Sequence, residues 1–510
     1  MYEYAQLLTS VCKHDEAIDY FKESFQILEV FKDDPIWGRL YVSVGSKYAM
    51  CLDYKAQYEA AGEVFDKLNK QDPDGYHIAD YALFLHRRKR DFERAQGYYL
   101  KALALYPHHS SVHLKYAGFL RHIRRDIPGA EKYYKSAVKE SPSNADALGS
   151  YASFLHGVHN NIKEAENYYA QSVAADDTHT NNLCNYGLFL SEEKNSYDLA
   201  EKMYKRALEV HDKHANTLYN YAVMLDTHLK RKKEAERLYR RALDVEPRHA
   251  YALYNIAVLL EERYSANILA ASNNDRPDAT PAPAGNDEAV DAWDQQVQET
   301  TKVEILNFYQ RAVEADPRDP TTMADYGRYL LIRMEKITKA EEILHAALKM
   351  DPSNEIAIFN LAIIAHRHKN DLNGAEKLLR QLLQSSPKHN AGLLQLARLL
   401  ADKHAMRGVT ATATGATQVL TGAEALVEEI CALYETCIET SKEAPAVATE
   451  YLKLIEKIGN NQQKLRTIAA MATQIDQLPK KSENIADTVE IAAPMQSAKT
   501  ALERLRKTTR

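Results

Sequence analysis

The sequence predicts an all-α fold, a solenoid of stacked helix pairs, and three observations carry that expectation. Ala95, Ala130, Ala165, Ala200 and Ala235 stand 35 residues apart, and Ala340 and Ala375 resume the same phase. Each alanine keeps the same company. An aromatic follows four residues on (Tyr99, Tyr134, Tyr169, Tyr204, Tyr239), then a small-aliphatic pair such as Ala207-Leu208, then Pro107, Pro142, Pro247, Pro352 or Pro387. Thirteen residues before it stands another small residue: Ala82, Ala117, Ala152, Gly187, Ala222, Gly327 or Ala362. A unit of this size cannot bury its apolar face except against the next unit, so the repeat dictates an array.

Each unit reads as two helices, A then B. Leu218, Tyr221, Ala222 and Leu225 recur at i, i+3, i+4 and i+7, one apolar stripe. Ala235, Leu238, Tyr239, Ala242 and Leu243 repeat that spacing in the second helix. Asp91, Asp126, Asn161 and Asp371 between the helices suit N-caps of helix B, and the proline ends it. This grammar resembles the tetratricopeptide repeat family, with a small residue in helix A, Ala-aromatic-Ala in helix B and a terminal Pro. The resemblance implies a right-handed superhelical solenoid, here of about eleven helix pairs. Asn185, Asn220, Asn255 and Asn360 fill a helix-A slot often occupied by Asn in that family. Two departures stand out: Tyr or Leu replaces the family's Trp, and the period is one residue longer, as an extra residue in the A–B turn would produce.

Along the chain, Tyr4, Ala5 and Leu8 already occupy the late half of a helix A, paired with a helix B through Ala17, Phe21 and Phe25. The opening is therefore expected to be clipped within a repeat. A long corner at Pro35 leads to a helix A through Trp37, Leu40, Val44 and Tyr48, and regular units follow to Val245. The eighth unit is split, with Tyr254 to Leu260 in helix A and Ile305 to Val313 in helix B. The insert between them, near 265–300, is acidic and rich in Pro, Ala and Asn, which favours a projecting loop. Val290, Trp293 and Val297 within it are spaced for a short amphipathic turn, and Trp293 is a candidate docking residue. A second insert near 406–422 is Thr/Ala/Gly-rich and reads as linker. The solenoid is expected over residues 1–445. Residues 446–510 read as a cap helix through Val447, Tyr451 and Leu454, then a polar and basic tail.

The chain of 510 residues carries a formal charge of −6, too mild to point to nucleic acid. Its five cysteines are scattered and odd in number, as expected of free thiols in a reducing compartment, and cytoplasm is the expected location with the nucleus as alternative. Most of the 19 histidines fall after helix A or in the corner after helix B, without HExxH, CxxC or other ligand spacing. Neither a phosphate-binding glycine loop nor a nucleophile elbow is present, so no enzyme, cofactor, metal or small-molecule substrate is expected.

The resemblance directs attention to a concave side lined by helix A, where family members hold peptides or helices of partner proteins. There the early units are basic, with Arg87, Arg88, Arg121, Arg124 and Arg125. The later ones offer Glu192, Asp226, Glu261 and Glu262 beside Asn185, Tyr219, Asn220, Tyr254 and Asn255. Stacked runs of one sign steer and orient a partner. A family-type clamp for a terminal carboxylate is not expected, because the Asn slots fall among acidic residues. The expected function is a non-catalytic scaffold gripping a partner segment within a larger complex. The alternative is RNA-processing or ribonucleoprotein work through the basic stretch.

Overall fold

The computed structural model describes residues 1–10, 14–272, 287–414, 428–434, 436–437, 447 and 450–451, and every regular element among them is helical. The chain divides into two compact units, Met1–Pro247 and Arg248–Arg510.

The first unit is a run of A/B pairs: α1 (Tyr2–Ser10) with α2 (His14–Leu28), α3 (Trp37–Tyr54) with α4 (Tyr58–Gln71), α5 (His77–Phe84) with α6 (Phe92–Leu105), and α7 (Ser110–Phe119) with α8 (Ile127–Glu140). It continues with α9 (Ala145–Gly157) and α10 (Ile162–Ala175), α11 (Thr180–Glu192) and α12 (Tyr197–Val210), and α13 (Ala215–Thr227) and α14 (Lys232–Val245). The repeated alanines from Ala82 to Ala242 are wholly buried at the A–B contact. Where glycine takes the slot, the contact is tighter still: a Cβ on Gly187 would lie 2.9 Å from the Tyr204 ring. The helix-B aromatic packs forward, Tyr99 on Phe119 at 5.4 Å, Tyr134 on Phe154 at 5.1 Å and Tyr169 on Phe189 at 5.3 Å. Each such pair ties one repeat to the next, so stability is shared between neighbours.

The A–B turns share one backbone conformation. Arg90, Arg125, Asn160, Asn195 and Lys230, and in the second unit Glu335 and Asn370, all take positive φ of 50–57°. The next residue closes the turn by donating its N–H six residues back: Asp91 to Leu85 O, Asp126 to Leu120 O, Asn161 to Leu155 O, Arg231 to Leu225 O. The left-handed residue reverses the chain at the helix C-terminus, and the closing bond spans one residue more than a Schellman 6→1 bond. Asp91, Asp126, Asn161 and Asp371 then cap helix B, each accepting from the N–H three residues on. In α5, α7 and, in the second unit, the helix Glu355–Ile363, the last turn widens to a π-turn before the corner.

The second unit continues with α15 (Ala250–Ser272), α16 (Asp287–Ala315), α17 (Pro320–Ile332), α18 (Ile337–Met350), α19 (Glu355–Ile363), α20 (Leu372–Ser385) and α21 (Asn390–Thr414). Here the expected insert is corrected. Helix runs on to Ser272 and begins again at Asp287, so the stretch near 265–300 extends α15 and α16 rather than forming a loop, apart from 273–286, which lie outside the described residues. The extension is held by α17: Arg333 Nη2 donates to Ser265 Oγ at 2.8 Å and covers the Tyr264 ring, while Tyr329 O–H donates to Lys302 O at 3.0 Å. Trp293 stands within α16, and its side chain lies outside the described residues. The linker expected near 406–422 is likewise helical as far as Thr414.

Beyond it, Ile430, Tyr434, Val447 and Tyr451 join the buried cluster of α20 and α21. Tyr434 and Tyr451 stack at 5.0 Å, and Arg398 Nε donates to Glu450 at 2.7 Å. The tail expected after these residues lies outside the described ones. No described helix is long and apolar enough to cross a membrane.

Candidate partner-binding face

Register sorts the A-helix side chains. Asp80, Lys115, Ser150, Asn185 and Asn220 occupy one slot of successive A helices, one period apart. Tyr76, Ser111, Asp146, Asn181 and Asn216 lie four residues before it, and Arg87, His122, Gly157, Glu192 and Thr227 seven after. Positions i−4, i and i+7 fall on one face of a helix. The central slot is half-buried and the outer two mostly exposed, so the face has a floor and two rims.

The floor is partly cross-linked. Ser46 Oγ donates to Asp80 Oδ2 at 2.7 Å, and the Lys115 ammonium meets the other Asp80 oxygen. Burial pushes the Asp80 carboxyl up, but Lys115 and Ser46 more than offset it and hold it below its usual range. Asn220 Nδ2 donates to Cys184 Sγ at 3.5 Å, a thiol whose pKa burial raises. The Ser150 and Asn185 side chains, by contrast, make no hydrogen bond within the described residues. On the rim, Arg87, Glu192 and Asn216 have neither hydrogen bond nor ion pair there.

The remaining sequence candidates hold the array together. Arg88 donates to Asp53 at 2.7 Å and lies over the Tyr58 ring. Arg124 pairs with Glu93 at 2.8 Å and covers Phe119. Arg121 lies over Phe154, 5.8 Å from the ring centroid, and Arg125 is the left-handed corner residue. Tyr219 is half-buried with its ring 6.1 Å from Tyr239, and Asp226 also has partners inside the fold.

In the second unit Glu261 differs most from the exposed acid expected. Its side chain is 9% exposed and it accepts from both Arg328 terminal nitrogens and from Tyr309 O–H, each at 2.8 Å. Arg328 Nε reaches Asp325, which also accepts from Tyr254 O–H at 2.9 Å. Here charge complementarity within the fold takes residues that looked available. Asn255 and Glu262 have partners too.

Sequence reasoning missed two sets of polar residues. His179, His214, His249 and His389 cap A helices: each Nδ1 accepts the N–H three residues on, of Asn182, Thr217, Ala252 and Gly392 respectively. Opposite charges one period apart, Asp53/Arg88 and Asp80/Lys115, pair across neighbouring repeats. Their spacing was the available signal. Among the described residues no group of three or more His, Cys, Asp or Glu side chains is placed to hold a metal ion.

The tetratricopeptide repeat profile matches residues 85–145, 192–244, 229–267 and 329–390. Tetratricopeptide repeats therefore occur at these stretches of the chain. No curated protein matches its sequence. Among solved structures, it is similar to the human IFIT1 dimer with m7Gppp-AAAA at 14% identity, with 79% of this chain and 90% of that chain covered and a TM-score of 0.43. PilF of Pseudomonas aeruginosa matches at 16% identity over 49% of this chain and 94% of that one, with a TM-score of 0.38. YrrB, described as a TPR protein with an unusual peptide-binding site, matches at 20% identity over 38% and 96%, with a TM-score of 0.28.

Proposed function

We propose that this chain is a non-catalytic scaffold that grips an extended or helical segment of a partner protein on the A-helix face of its first unit, within a larger assembly. The observation that carries this reading is the set of polar side chains left without partners on that face: Ser150 and Asn185 on the floor, Arg87, Glu192 and Asn216 on the rims. Half-buried amides and hydroxyls that the chain does not satisfy are suited to the main chain of a bound segment, since a hydrogen bond made there replaces incomplete solvation. Arg87 lies three repeats from Glu192 along the array, so the rim offers opposite signs to the two ends of a ligand and sets its direction. The same arginines bear on the alternative, RNA reading. Arg88 and Arg124 are neutralised by carboxylates inside the fold, which leaves fewer cations for a run of phosphates.

The test is an affinity pull-down from a native extract, comparing the intact chain with a triple variant, Arg87→Ala, Asn185→Ala and Glu192→Ala. A Lys139→Ala, Lys163→Ala variant on helices B serves as control. Loss of the same partners only in the face variant, with helicity unchanged, is expected; unchanged recovery would remove the site from this face. A single-stranded RNA titration runs alongside, and binding that falls steeply with added salt would favour the RNA reading.

A further inference from the structure

The A-helix face opens into a cavity of about 830 Å3 inside the first unit, walled by two stretches far apart in sequence. One wall is the end of α3 with Tyr54 and Lys55, joined by Arg87. The other is the N-terminal edge of α11 and α13, with Asn181, Lys213 and Asn216, closed by Glu246 after α14. We infer that this cavity receives a short acidic run of the partner segment, its carboxylates set against Arg87 and Lys213 and its main chain against Asn181 and Asn216. The inference rests on the reading that the ligand of the face is a protein segment, and it names the chemistry of the part that enters the cavity.

Several observations support it. The lining holds three cations, Lys55, Arg87 and Lys213, of which Lys55 has a partner within the fold, and one carboxylate, Glu246. Arg87 and Lys213 have no ion pair or hydrogen bond among the described residues, so a ligand carboxylate need not displace an internal partner. Both α11 and α13 are 13 residues long and present their N-terminal ends here, which adds the positive end of each helix dipole. The Asn181 carbonyl is engaged by His214 at 3.1 Å, which leaves its amide N–H groups to donate. His211 and His214, also in the wall, are kept neutral by burial, so the charge at neutral pH comes from Lys and Arg alone. A volume of this size is that of a ligand pocket rather than a gap between side chains. Glu246 decides the class. A uniform polyanion would meet it wherever it lay in the cavity, whereas a peptide can place an uncharged or basic residue opposite it.

The experiment uses the full chain and fluorescence anisotropy with a labelled peptide of alternating Asp and Ser. Unlabelled competitors are its Asn-for-Asp counterpart, inorganic triphosphate and a single-stranded RNA. Three proteins are compared: intact, Arg87→Glu with Lys213→Glu, and the control Lys139→Glu with Lys163→Glu, which has the same net charge. The acidic peptide is expected to bind the intact and control chains and to lose roughly tenfold or more in affinity to the double reversal, with circular dichroism unchanged. The Asn counterpart is expected not to compete, and Glu246→Gln is expected to strengthen binding of the peptide. Equal affinity for the double reversal and the control, or no binding at low salt, would overturn the inference, as would triphosphate or RNA displacing the peptide more readily than the peptide displaces itself. Failure here, with the face variant still losing its partners from extract, would refute the acidic ligand and leave the scaffold reading standing. Retention of partners by the face variant would refute that reading instead.

Discussion

His179 joins two repeats through one ring: its Nε2 lies 2.8 Å from Asp146 Oδ1, while its Nδ1 accepts the Asn182 N–H at 3.2 Å. A backbone N–H can only donate, so Nδ1 must be bare and Nε2 must carry the proton. The hydrogen bond to Asp146 raises the imidazole pKa, yet a second proton at Nδ1 would confront the Asn182 N–H and end the cap. Asp146→Asn is therefore expected to lower the His179 pKa, read by NMR titration of the ring protons. His179→Ala is expected to cost about 1–2 kcal/mol, the size of a lost cap with its bridge, and His179→Asn to restore much of it. Equal losses for Ala and Asn in urea denaturation would refute the capping role.

Buried histidines make the first unit sensitive to acid. Burial lowers the pKa of His77 to about 4, with Asp72 and Asp80 acting the other way and Lys101 alongside burial; His86 and His214 are lowered to about 4 as well. His77 is 1% exposed and donates from Nε2 to Asn69. A proton then binds the unfolded chain, near pH 6.5, before it binds the folded one. Stability is full above that value and falls as pH drops from about 6.5 towards 4. Thermal melts across that window should show Tm falling with acidity, and His77→Gln should flatten the slope by roughly one proton. A slope unchanged in that variant would show that His77 is not the group responsible.

The corner residue of the fourth A–B turn should tolerate glycine better than its own side chain. Arg125 sits at φ 57°, a conformation that costs a residue with a Cβ roughly 1 kcal/mol. Arg125→Gly is expected to leave stability equal or raise it by about 0.5 kcal/mol, the unfolded chain's extra freedom offsetting part of the gain. Arg125→Val, β-branched, is expected to lower it by about 1–2 kcal/mol. Denaturant midpoints of the two variants decide, and the reverse order would contradict the left-handed corner.

The helix pairs were legible because burial enforces period: each alanine at the A–B contact has no room for variation, so its spacing survives in the sequence. Features that satisfy polar groups left fainter marks. The left-handed corners use Arg90, Arg125, Lys230 and Glu335 where glycine would have announced them. The A-helix caps use His179, His214 and His249, which lack the cap signature of Ser, Asp or Asn. Glu261 looked like an exposed groove acid because its partner Arg328 stands 67 residues away, across the stretch that splits the eighth repeat. The helical runs into 261–272 and 287–304 were hidden by the Pro- and Asn-rich composition of their surroundings.

That buried pair gives a prediction for the second unit. Glu261 keeps its charge out of water only because Arg328 and Tyr309 satisfy it from three directions. Arg328→Met leaves the carboxylate buried with one donor and is expected to cost about 3 kcal/mol. Adding Glu261→Met removes the stranded charge and should recover most of that loss. Hydrogen exchange of α15 and α17 localises the effect to this unit. A double variant no more stable than Arg328→Met alone would show that packing, rather than the charge, sets the cost.

Arg87 and Arg88 are adjacent in sequence and are expected to fail in different ways. Arg88 is held by Asp53, whose side chain is 7% exposed, and lies 4.8 Å from the Tyr58 ring centroid. Arg88→Ala strands that carboxylate and removes the contact between the second and third repeats, so a loss of about 1–3 kcal/mol is expected. Arg87 is exposed, without an ionic partner among the described residues, and its removal should shift Tm by little. Binding should show the opposite order, provided it is measured well below the melting temperature of both variants. Arg87→Ala is expected to weaken the acidic peptide several-fold, since a cation at the cavity wall is lost, while folded Arg88→Ala should retain most of the affinity. If both substitutions destabilise equally and neither alters binding, the division of the basic stretch into one arginine for the fold and one for the ligand is wrong.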